Sequence, residues 1–288
     1  MQPPRPNRSR GRRVLGWGSF EKKWESEKKN AAARALARAQ NDRCYRRRTR
    51  TRPRNGVALR GRWCKPSITW QIGKASFASV ACLDVGGGCC RRERLGGTPL
   101  VLRTDLTQAS QIYSSVQACI RAFGGIDVLI NNASALYVNK DLSLKQYDTM
   151  MSVNCRATFS MIDACLPKLE QSAVGHILSI SPPLERCLPK WIERHPPYTL
   201  SKFGMTMLTI GQSHRVKSNT LWPQKLIRTA ATKRLEKMTN VPAFTRGLSP
   251  DHFVEAARII VSSDATGGCF LDSDLVDVPD GGLYDIFV

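Results

Sequence analysis

Apolar and polar residues follow recognisable patterns only in the last two thirds of the chain. Residues 99–103 form a short apolar run that predicts a strand, and residues 127–131 form a nearly continuous apolar run of the kind that is buried in a parallel sheet. Between them, residues 108–123 carry apolar side chains at helical spacing, and Gly124 and Gly125 then predict the end of the helix. A strand, a helix and a strand of these lengths predict a right-handed crossover unit.

Strands and helices continue to alternate towards the C-terminus. The further predicted elements are helix 144–169, strand 176–180, helix 198–212, strand 218–222, helix 251–262 and a strand near 269–278. This order predicts an α/β fold with a doubly wound parallel sheet. The segment that would supply the first βαβ unit lacks the pattern, so we predict that this unit is missing or replaced.

The stretch from residue 66 to residue 95 gives weak signals. Residues 67–72 alternate weakly, and residues 78–85 predict a short strand that ends in Gly86-Gly87-Gly88. A dinucleotide site needs a strand, a glycine-rich turn and a helix whose N-terminal N–H groups hold the pyrophosphate. Here the glycines run directly into Cys89-Cys90-Arg91-Arg92, so we predict a flexible loop and no phosphate cradle.

The net charge of +21 is concentrated at the N-terminus. Residues 1–65 contain 21 Lys and Arg against 4 Asp and Glu, which is +17, whereas the rest of the chain contains 23 against 19, which is +4. We therefore predict a basic, disordered or poorly ordered segment over residues 1–95 and a folded domain over residues 96–288. A targeting segment and a nucleic-acid-binding arm are the other interpretations of the basic segment.

Cysteine spacing and apolar runs exclude two further classes of protein. The ten cysteines do not show the Cys and His spacing of a zinc site, so no metal site is predicted. No run approaches the roughly 20 apolar residues that span a bilayer, and no secretory apolar region is recognisable. We expect an intracellular protein without a membrane span.

Four short motifs follow one another along the predicted domain. They are Asn131-Asn132-Ala133 at a strand end, Asn154 in a helix, Ser181 at the next strand end, and Tyr198 with Lys202 four residues later. Residues four apart on a helix face the same way, and a nearby ammonium lowers the pKa of a phenol towards what acid–base catalysis needs. The alternative for Tyr198 and Lys202 is an exposed pair on a solvated helix face.

The order and spacing of these motifs resemble the short-chain dehydrogenase/reductase family. The resemblance covers about residues 96–288, and its most distinctive stretches are 176–183, the Tyr198–Lys202 pair and Leu221-Trp-Pro223. It implies a Rossmann-type fold. It also implies hydride transfer between the nicotinamide of NADP or NAD and a hydroxyl or carbonyl of a lipid-like small molecule.

The resemblance assigns four catalytic residues. It implies that Tyr198 exchanges a proton with the substrate oxygen, that Lys202 also binds the nicotinamide ribose, and that Asn154 holds a water of the proton relay. It gives Ser181 the hydroxyl that orients the substrate carbonyl, although Pro182 occupies the position where the family usually has that serine; Ser179 is a second substitute. For Asn154 the alternative is a polar residue that faces solvent near a helix start.

The resemblance also implies a set of cofactor contacts. Its members are Asp105, Asn131, Asn132, Ala133, Lys202, Pro223 and Thr229. Asp105 matches the acidic residue beside the adenine ring, but it is equally a candidate N-cap for the helix that begins near Gln108. The Asn131 turn packs along the adenosine side in the family and also ties neighbouring strands together.

Three functions remain open at this point. The first is an NAD(P)-dependent oxidoreductase, the second is a catalytically inactive variant without the glycine-rich cofactor turn, and the third is a nucleic-acid-associated protein using the basic arm. The branch of the family that the chain resembles suggests a peroxisome or mitochondrion, and it leaves homo-oligomerisation open.

Overall fold

The sheet of this protein has seven strands. The computed structural model describes residues 67–73, 77–83, 100–137, 142–184, 192–193, 195–239 and 241–281. The strands are β1 (Ser67–Gly73), β2 (Phe77–Leu83), β3 (Leu100–Thr104), β4 (Val128–Asn131), β5 (His176–Ile180), β6 (Lys217–Trp222) and β7 (Cys269–Leu271). Their spatial order is β3-β2-β1-β4-β5-β6-β7. The five strands β1, β4, β5, β6 and β7 pair in parallel, whereas β2 is antiparallel to both of its neighbours.

Helices connect the parallel strands. They are α1 (Ala109–Phe123), α2 (Leu144–Met150), a π-helical segment (Met151–Arg156), α3 (Ala157–Leu169), α4 (Pro196–Ile210), α5 (Ala230–Thr239) and α6 (Asp251–Val261). Helix α2 begins with a capping box in which Ser143 and Gln146 satisfy each other's main-chain N–H groups. Helix α1 ends at Gly124, whose φ of 82° suits glycine and whose N–H donates to the carbonyl of Ile120. The predicted α/β fold is confirmed.

A hairpin takes the place of the first βαβ unit. The register pairs Gly73 with Phe77, so three residues join β1 to β2 where the fold would otherwise have a crossover helix. The first βαβ unit is therefore replaced and not missing. Strand β2 runs antiparallel to the direction that all strands share in a doubly wound parallel sheet. Both strands lie before residue 96, while the domain boundary at that position stays a prediction.

Two apolar layers cover the sheet. The larger layer packs α1 and α3 against one face, with Ile112, Leu129, Met161 and Ile177 among its most buried members. The other face carries α6 around Leu178 and Leu221. Strand β3 alternates between the core and solvent: Leu100 and Leu102 pack against the larger layer, while Val101 is 52% exposed. Strand β3 therefore behaves as a strand with one covered face.

Candidate active site

Tyr198 lies in the first turn of α4, beside the carboxyl ends of β5 and β6. Its side chain is 8% exposed and belongs to an apolar cluster with Met150 and Trp222. Further apolar residues pack around this cluster without being fully buried: Leu136, Tyr137, Leu142, Phe203 and Leu271. The surroundings of the Tyr198 ring are therefore apolar and partly open, as suits a site for an apolar small molecule.

Lys202 lies one turn further along α4 and is 2% exposed. Its Nζ donates to the carbonyl oxygen of Ile180 at 2.6 Å, contacts Sδ of Met205 at 3.2 Å, and lies 5.4 Å from the ring centroid of Trp222. Burial lowers its pKa from 10.5 to about 7. Because Tyr198 and Lys202 are both buried, they do not form an exposed pair on a solvated helix face.

Asn154 lies in the π-helical segment and is fully buried. Its Oδ1 accepts from the N–H of Ala135 at 2.7 Å, and its Nδ2 donates to the carbonyl of Ala135 at 3.0 Å and to Oγ of Ser201 at 2.8 Å. Ser201 Oγ in turn donates to the carbonyl of Tyr198 at 2.8 Å. The side chain of Asn154 therefore joins the loop after β4 to the first turn of α4, and it does not face solvent.

A π-helical turn inserts one extra residue into a helix and is frequent at functional sites. Here it interrupts the long helix that the sequence predicted over 144–169 and divides it into α2 and α3. The main-chain carbonyl of Asn154 accepts from Thr158 Oγ1 at 2.7 Å, so a hydroxyl replaces part of the interrupted helical hydrogen bonding. The apolar periodicity gave no signal for this interruption.

Ser181 follows β5 and is fully buried. Thr206, on α4, has its Oγ1 2.9 Å from Ser181 Oγ and 2.8 Å from the carbonyl oxygen of Pro182. Thr206 is a site residue that the sequence did not reveal. It lies four residues after Lys202, on the same face of the helix, and this spacing is the signal that could have identified it.

The side chain of Ser179 has a structural role in the sheet. Its Oγ lies 3.1 Å from Asn131 Nδ2, which donates to it, and 2.6 Å from Thr209 Oγ1. Asn131 thus ties β4 to β5, in agreement with the structural alternative for this residue. Of the two candidate hydroxyls at the end of β5, Ser181 is the one nearer to the carboxyl edge of the sheet.

The loop after β4 holds the other members of its motif. Asn132 is exposed and Ala133 is buried. The next residue, Ser134, has a buried Oγ without a hydrogen-bond partner. A buried hydroxyl usually finds a partner, so an unpaired one at the carboxyl end of a parallel strand fits contact with a ligand.

Asp105 holds the turn between β3 and α1. Its Oδ1 accepts from the N–H of Thr107 at 2.9 Å and from Thr107 Oγ1 at 2.8 Å. The N-cap of α1 is Gln108, which makes no side-chain capping bond, so the N-cap alternative for Asp105 is wrong. Asp105 stabilises an Asx turn one step earlier in the chain.

Pro223 and Thr229 lie in the segment that follows β6. Thr229 Oγ1 accepts from the N–H of Thr232 at 3.2 Å, while Thr232 Oγ1 accepts from the N–H of Thr229 at 2.9 Å, and these bonds cap α5. Pro223 is half-buried. The next residue, Gln224, donates its N–H to Oδ1 of the buried Asp272 at 2.8 Å, which fixes the start of this segment.

Asp272 also contacts His252. Its Oδ2 lies 3.1 Å from Nε2 of His252, and both side chains are almost fully buried. Burial raises the pKa of Asp272, while its contacts with Gln224 and His252 act in the opposite direction. This pair joins α6 to the end of β7 beneath the segment that contains Pro223.

The described residues contain no group of three His, Cys, Asp or Glu side chains arranged to hold a metal ion. In the same parts of the chain, no helix is both long enough and apolar enough to cross a membrane.

Comparisons with known proteins agree with this geometry. A family model described as short chain dehydrogenase matches residues 90–233, which is half of the chain. The protein therefore belongs to the short-chain dehydrogenase family. It is 37% identical over 204 residues to hydroxysteroid dehydrogenase-like protein 2 of Xenopus laevis, covering 68% of this chain and 48% of that protein. The human protein of that name is 42% identical over 149 residues, or 50% of this chain and 35% of its own length.

A solved structure shows the same fold. A candidate dehydrogenase from Xanthomonas campestris superposes with a TM-score of 0.60 at 30% identity, covering 68% of this chain and 79% of that one. The chain spans about half, or less, of the length of the curated relatives named above.

Proposed function

We propose that this protein is an NAD(P)-dependent oxidoreductase acting on a hydroxyl or carbonyl of a lipid-like small molecule, with Tyr198 as general acid–base. The observation that carries the proposal is the burial of Tyr198 and Lys202 together beside the carboxyl ends of β5 and β6, in a member of a family of dehydrogenases. The apolar cluster around Tyr198 supports a lipid-like substrate. The name of the Xenopus laevis relative supports a hydroxysteroid or a similar alcohol.

The described residues fit the nicotinamide end of a cofactor. Family members in general use NAD(P), and the hydroxyl of Ser134 and the ammonium of Lys202 both lie at the carboxyl ends of parallel strands, where such a cofactor binds. The other proposed contacts, Asp105, Asn132, Pro223 and Thr229, lie in the loops that follow β3, β4 and β6. When bound, the nicotinamide would supply or accept the hydride.

Each catalytic side chain has a definite task in this proposal. Tyr198 exchanges a proton with the substrate oxygen, and Lys202 favours the phenolate when it carries its charge. Ser181 donates a hydrogen bond to the same oxygen, and Thr206 Oγ1 donates a hydrogen bond to Ser181 Oγ. Asn154 keeps the first turn of α4 in place through Ala135 and Ser201, and any water of a proton relay would bind beside it.

One observation favours a second candidate, a catalytically inactive family member. Three residues join β1 to β2, so no helix N-terminus follows β1 to hold the cofactor's pyrophosphate. Residues 84–99, which contain Gly86-Gly87-Gly88, lie outside the described residues. The two candidates differ in whether the chain binds NADP or NAD.

A thermal-shift titration separates the two candidates. The purified chain is titrated with NADPH and NADH, beside a Tyr198→Phe variant that keeps the ring. A binding-competent chain melts at a temperature that rises with cofactor concentration, by several degrees at a hundredfold excess over the dissociation constant. Wild type and Tyr198→Phe should shift alike, while only wild type turns over a panel of secondary alcohols and ketones. A cooperative melt without any shift would establish the inactive candidate.

Three further parts of the proposal concern partners and location. Exposed apolar residues on α3 and α4, namely Phe159, Leu200 and Met207, support a homo-oligomer. A location in the peroxisome or mitochondrion stays a prediction from the family resemblance. A basic segment over residues 1–95 that is disordered or poorly ordered, a dehydrogenase domain over residues 96–288 and a nucleic-acid role for the basic arm stay predictions, but residues 67–73 and 77–83 of that segment form β1 and β2 of the sheet.

A further inference from the structure

Residues 223–250 connect β6 to α6 and are here called the basic cap; their described part, 223–239 and 241–250, forms a small folded unit. Its apolar centre consists of Leu226, Leu235 and Ala243. Two main-chain hydrogen bonds of 2.8 Å, from Arg228 N–H to Leu248 O and from Leu248 N–H to Leu226 O, join the two ends of the unit. The main chain of the basic cap is therefore held together at both ends and around a small apolar centre.

The basic cap carries an excess of positive charge. Its 28 residues contain six Lys or Arg and one Glu, which is a net charge of +5. Five of the cations are exposed: Arg228, Lys233, Arg234, Lys237 and Arg246. None of these five forms an ion pair with a described residue. The residues that follow the cap, 251–281, contain seven acids, but those with described contacts bind elsewhere.

The single carboxylate of the basic cap does not neutralise these cations. Glu236 accepts from the N–H groups of Phe244 and Thr245, both at 2.7 Å, and from the Thr245 hydroxyl at 2.5 Å. Its two oxygens hold the turn that follows α5. The carboxylate of Glu236 therefore stabilises the fold of the cap itself and does not pair with the five exposed cations.

The fold places four of these cations in two neighbouring pairs, Arg228 with Arg246 and Lys233 with Lys237. A Cβ added to Gly247 would lie 3.2 Å from Cγ of Arg228, so Arg228 runs beside the chain next to Arg246. The ammonium of Lys233 lies 5.6 Å from the ring centroid of Phe244, and Lys237 follows one turn later on the same face of α5. A multiply charged anion can contact such a pair of cations and offset the repulsion between their like charges.

The basic cap contains two of the proposed cofactor contacts, Pro223 and Thr229, but it follows β6, whereas a cofactor phosphate site is expected after β1. The cap begins immediately after Trp222, whose ring covers the Lys202 ammonium, so it adjoins the proposed site of reaction. In this fold the cofactor's pyrophosphate belongs at the end of β1, which is three strands from β6. Three strand spacings of about 4.8 Å separate the two places by roughly 14 Å.

We propose that the basic cap binds a multiply charged phosphate group of the substrate, while the reacting oxygen lies at Tyr198. This inference rests on the proposed oxidoreductase function. It adds to that function a substrate class: an apolar group that is reduced or oxidised, attached to a phosphate-bearing carrier.

The test uses sodium tripolyphosphate as the probe and the full chain as the protein. Isothermal titration compares wild type with R234Q/K237Q/R246Q in the cap and with a matched control, R46Q/R47Q/R48Q, in the basic N-terminal segment. Each triple variant removes three positive charges. The cap variant should bind tripolyphosphate about tenfold more weakly or worse, and the control should change by less than about threefold. An equal loss in both variants, or a larger loss in the control, overturns the proposal.

A second titration distinguishes the substrate from the cofactor as the source of the phosphate. NADH is titrated with and without saturating tripolyphosphate, and we expect the same NADH affinity in both. Competition would place the anion in the cofactor site and overturn the proposal. If NADH does not bind at all but tripolyphosphate binding still depends on the cap, the oxidoreductase proposal fails and the anion site stands. A cooperative thermal melt of the cap variant excludes misfolding as the cause of its loss.

Discussion

The ammonium nitrogen of Lys202 lies 2.6 Å from the main-chain carbonyl oxygen of Ile180, the last residue of β5. Its other described partners are the sulfur of Met205 and the ring of Trp222. None of these groups carries a negative charge, so burial is the dominant influence on this cation, and its pKa falls to about 7. A buried, uncompensated cation destabilises the folded state, which makes its presence here a sign of function.

Replacing Lys202 by methionine should stabilise the protein at pH 7 and abolish cofactor binding. Met keeps the apolar stem of the side chain and removes the charge that burial disfavours. The pKa of 10.5 in the unfolded chain against about 7 in the folded chain implies a gain of about 2–4 kcal/mol after the lost hydrogen bond to Ile180 is allowed for. Urea denaturation at pH 7 measures the gain, and an exposed control, Lys145→Met, should change by less than about 0.5 kcal/mol.

The gain from Lys202→Met should also depend on pH. Below pH 7 Lys202 is charged in both the folded and the unfolded chain, so the destabilisation is complete. Between pH 7 and 10.5 the unfolded chain holds the proton while the folded chain releases it, so the stability of wild type rises with pH. The two stability curves should therefore converge towards pH 10.5. A difference that stays constant from pH 6 to pH 10 would show that the lysine is not buried as described.

The contact between Asn154 and Ser201 should show up as an energetic coupling. Asn154→Ala leaves the N–H and the carbonyl of Ala135 without their partner and should cost about 2–4 kcal/mol in unfolding free energy. Ser201→Ala should cost about 1 kcal/mol, because its hydroxyl also binds the carbonyl of Tyr198. A double-mutant cycle should give a coupling of about 0.5–1.5 kcal/mol. Additive effects within about 0.3 kcal/mol would mean that the two side chains do not meet.

The periodic part of the fold was predictable because its elements follow simple burial patterns. The apolar runs of β4, β5 and β6 predict buried strands directly, since both faces of these strands are covered. The π-helical turn at Asn154 was not predictable, because it shifts the helix by one residue without changing which residues are apolar. Helix α5 was missed because Lys and Arg dominate its exposed face, so the sequence gives little sign that Leu235 is buried.

The hairpin shows a different reason for failure. Residues 67–72 and 78–85 gave weak strand signals, and the structure has strands at Ser67–Gly73 and Phe77–Leu83. The direction of β2 depends on the length of its connection to β1, and three residues permit only an antiparallel return. The predicted site residues were found by spacing along the chain, whereas Thr206 and Ser134 belong to the site only through the folding of α4 and the loop after β4.

His176 should make the protein sensitive to mild acid. It is fully buried at the start of β5, with Nε2 2.8 Å from Asn219 Nδ2, and burial lowers its pKa from 6.5 to about 3. As the pH falls from 6.5 towards 3, the unfolded chain binds a proton at this residue and the folded chain does not, so stability falls. Between pH 7 and pH 4, the melting temperature of His176→Gln should fall less than that of wild type. The exposed His214→Gln is the matched control and should follow wild type.

Thr206 should control the catalytic contribution of Ser181 without affecting the cofactor. Its hydroxyl lies 2.9 Å from Ser181 Oγ and 2.8 Å from the carbonyl of Pro182, and both hydroxyls are fully buried. Thr206→Val keeps the shape of the side chain but frees the Ser181 hydroxyl to rotate, so kcat should fall about tenfold or more while the NADH affinity stays within about twofold. Thr206→Ser restores the hydroxyl and should recover most of kcat.

The combination Ser181→Ala with Thr206→Val decides between this role and simple packing. If Thr206 acts only by orienting Ser181, the double variant should be no slower than Ser181→Ala alone, because the group that Thr206 positions is already gone. Multiplied losses in kcat, or a Thr206→Ser variant as slow as Thr206→Val, would show that Thr206 supports the end of β5 by packing and not by aligning a hydroxyl. The NADH titration is measured separately from turnover. It shows whether the Thr206 variants keep the cofactor site intact even when no substrate is turned over.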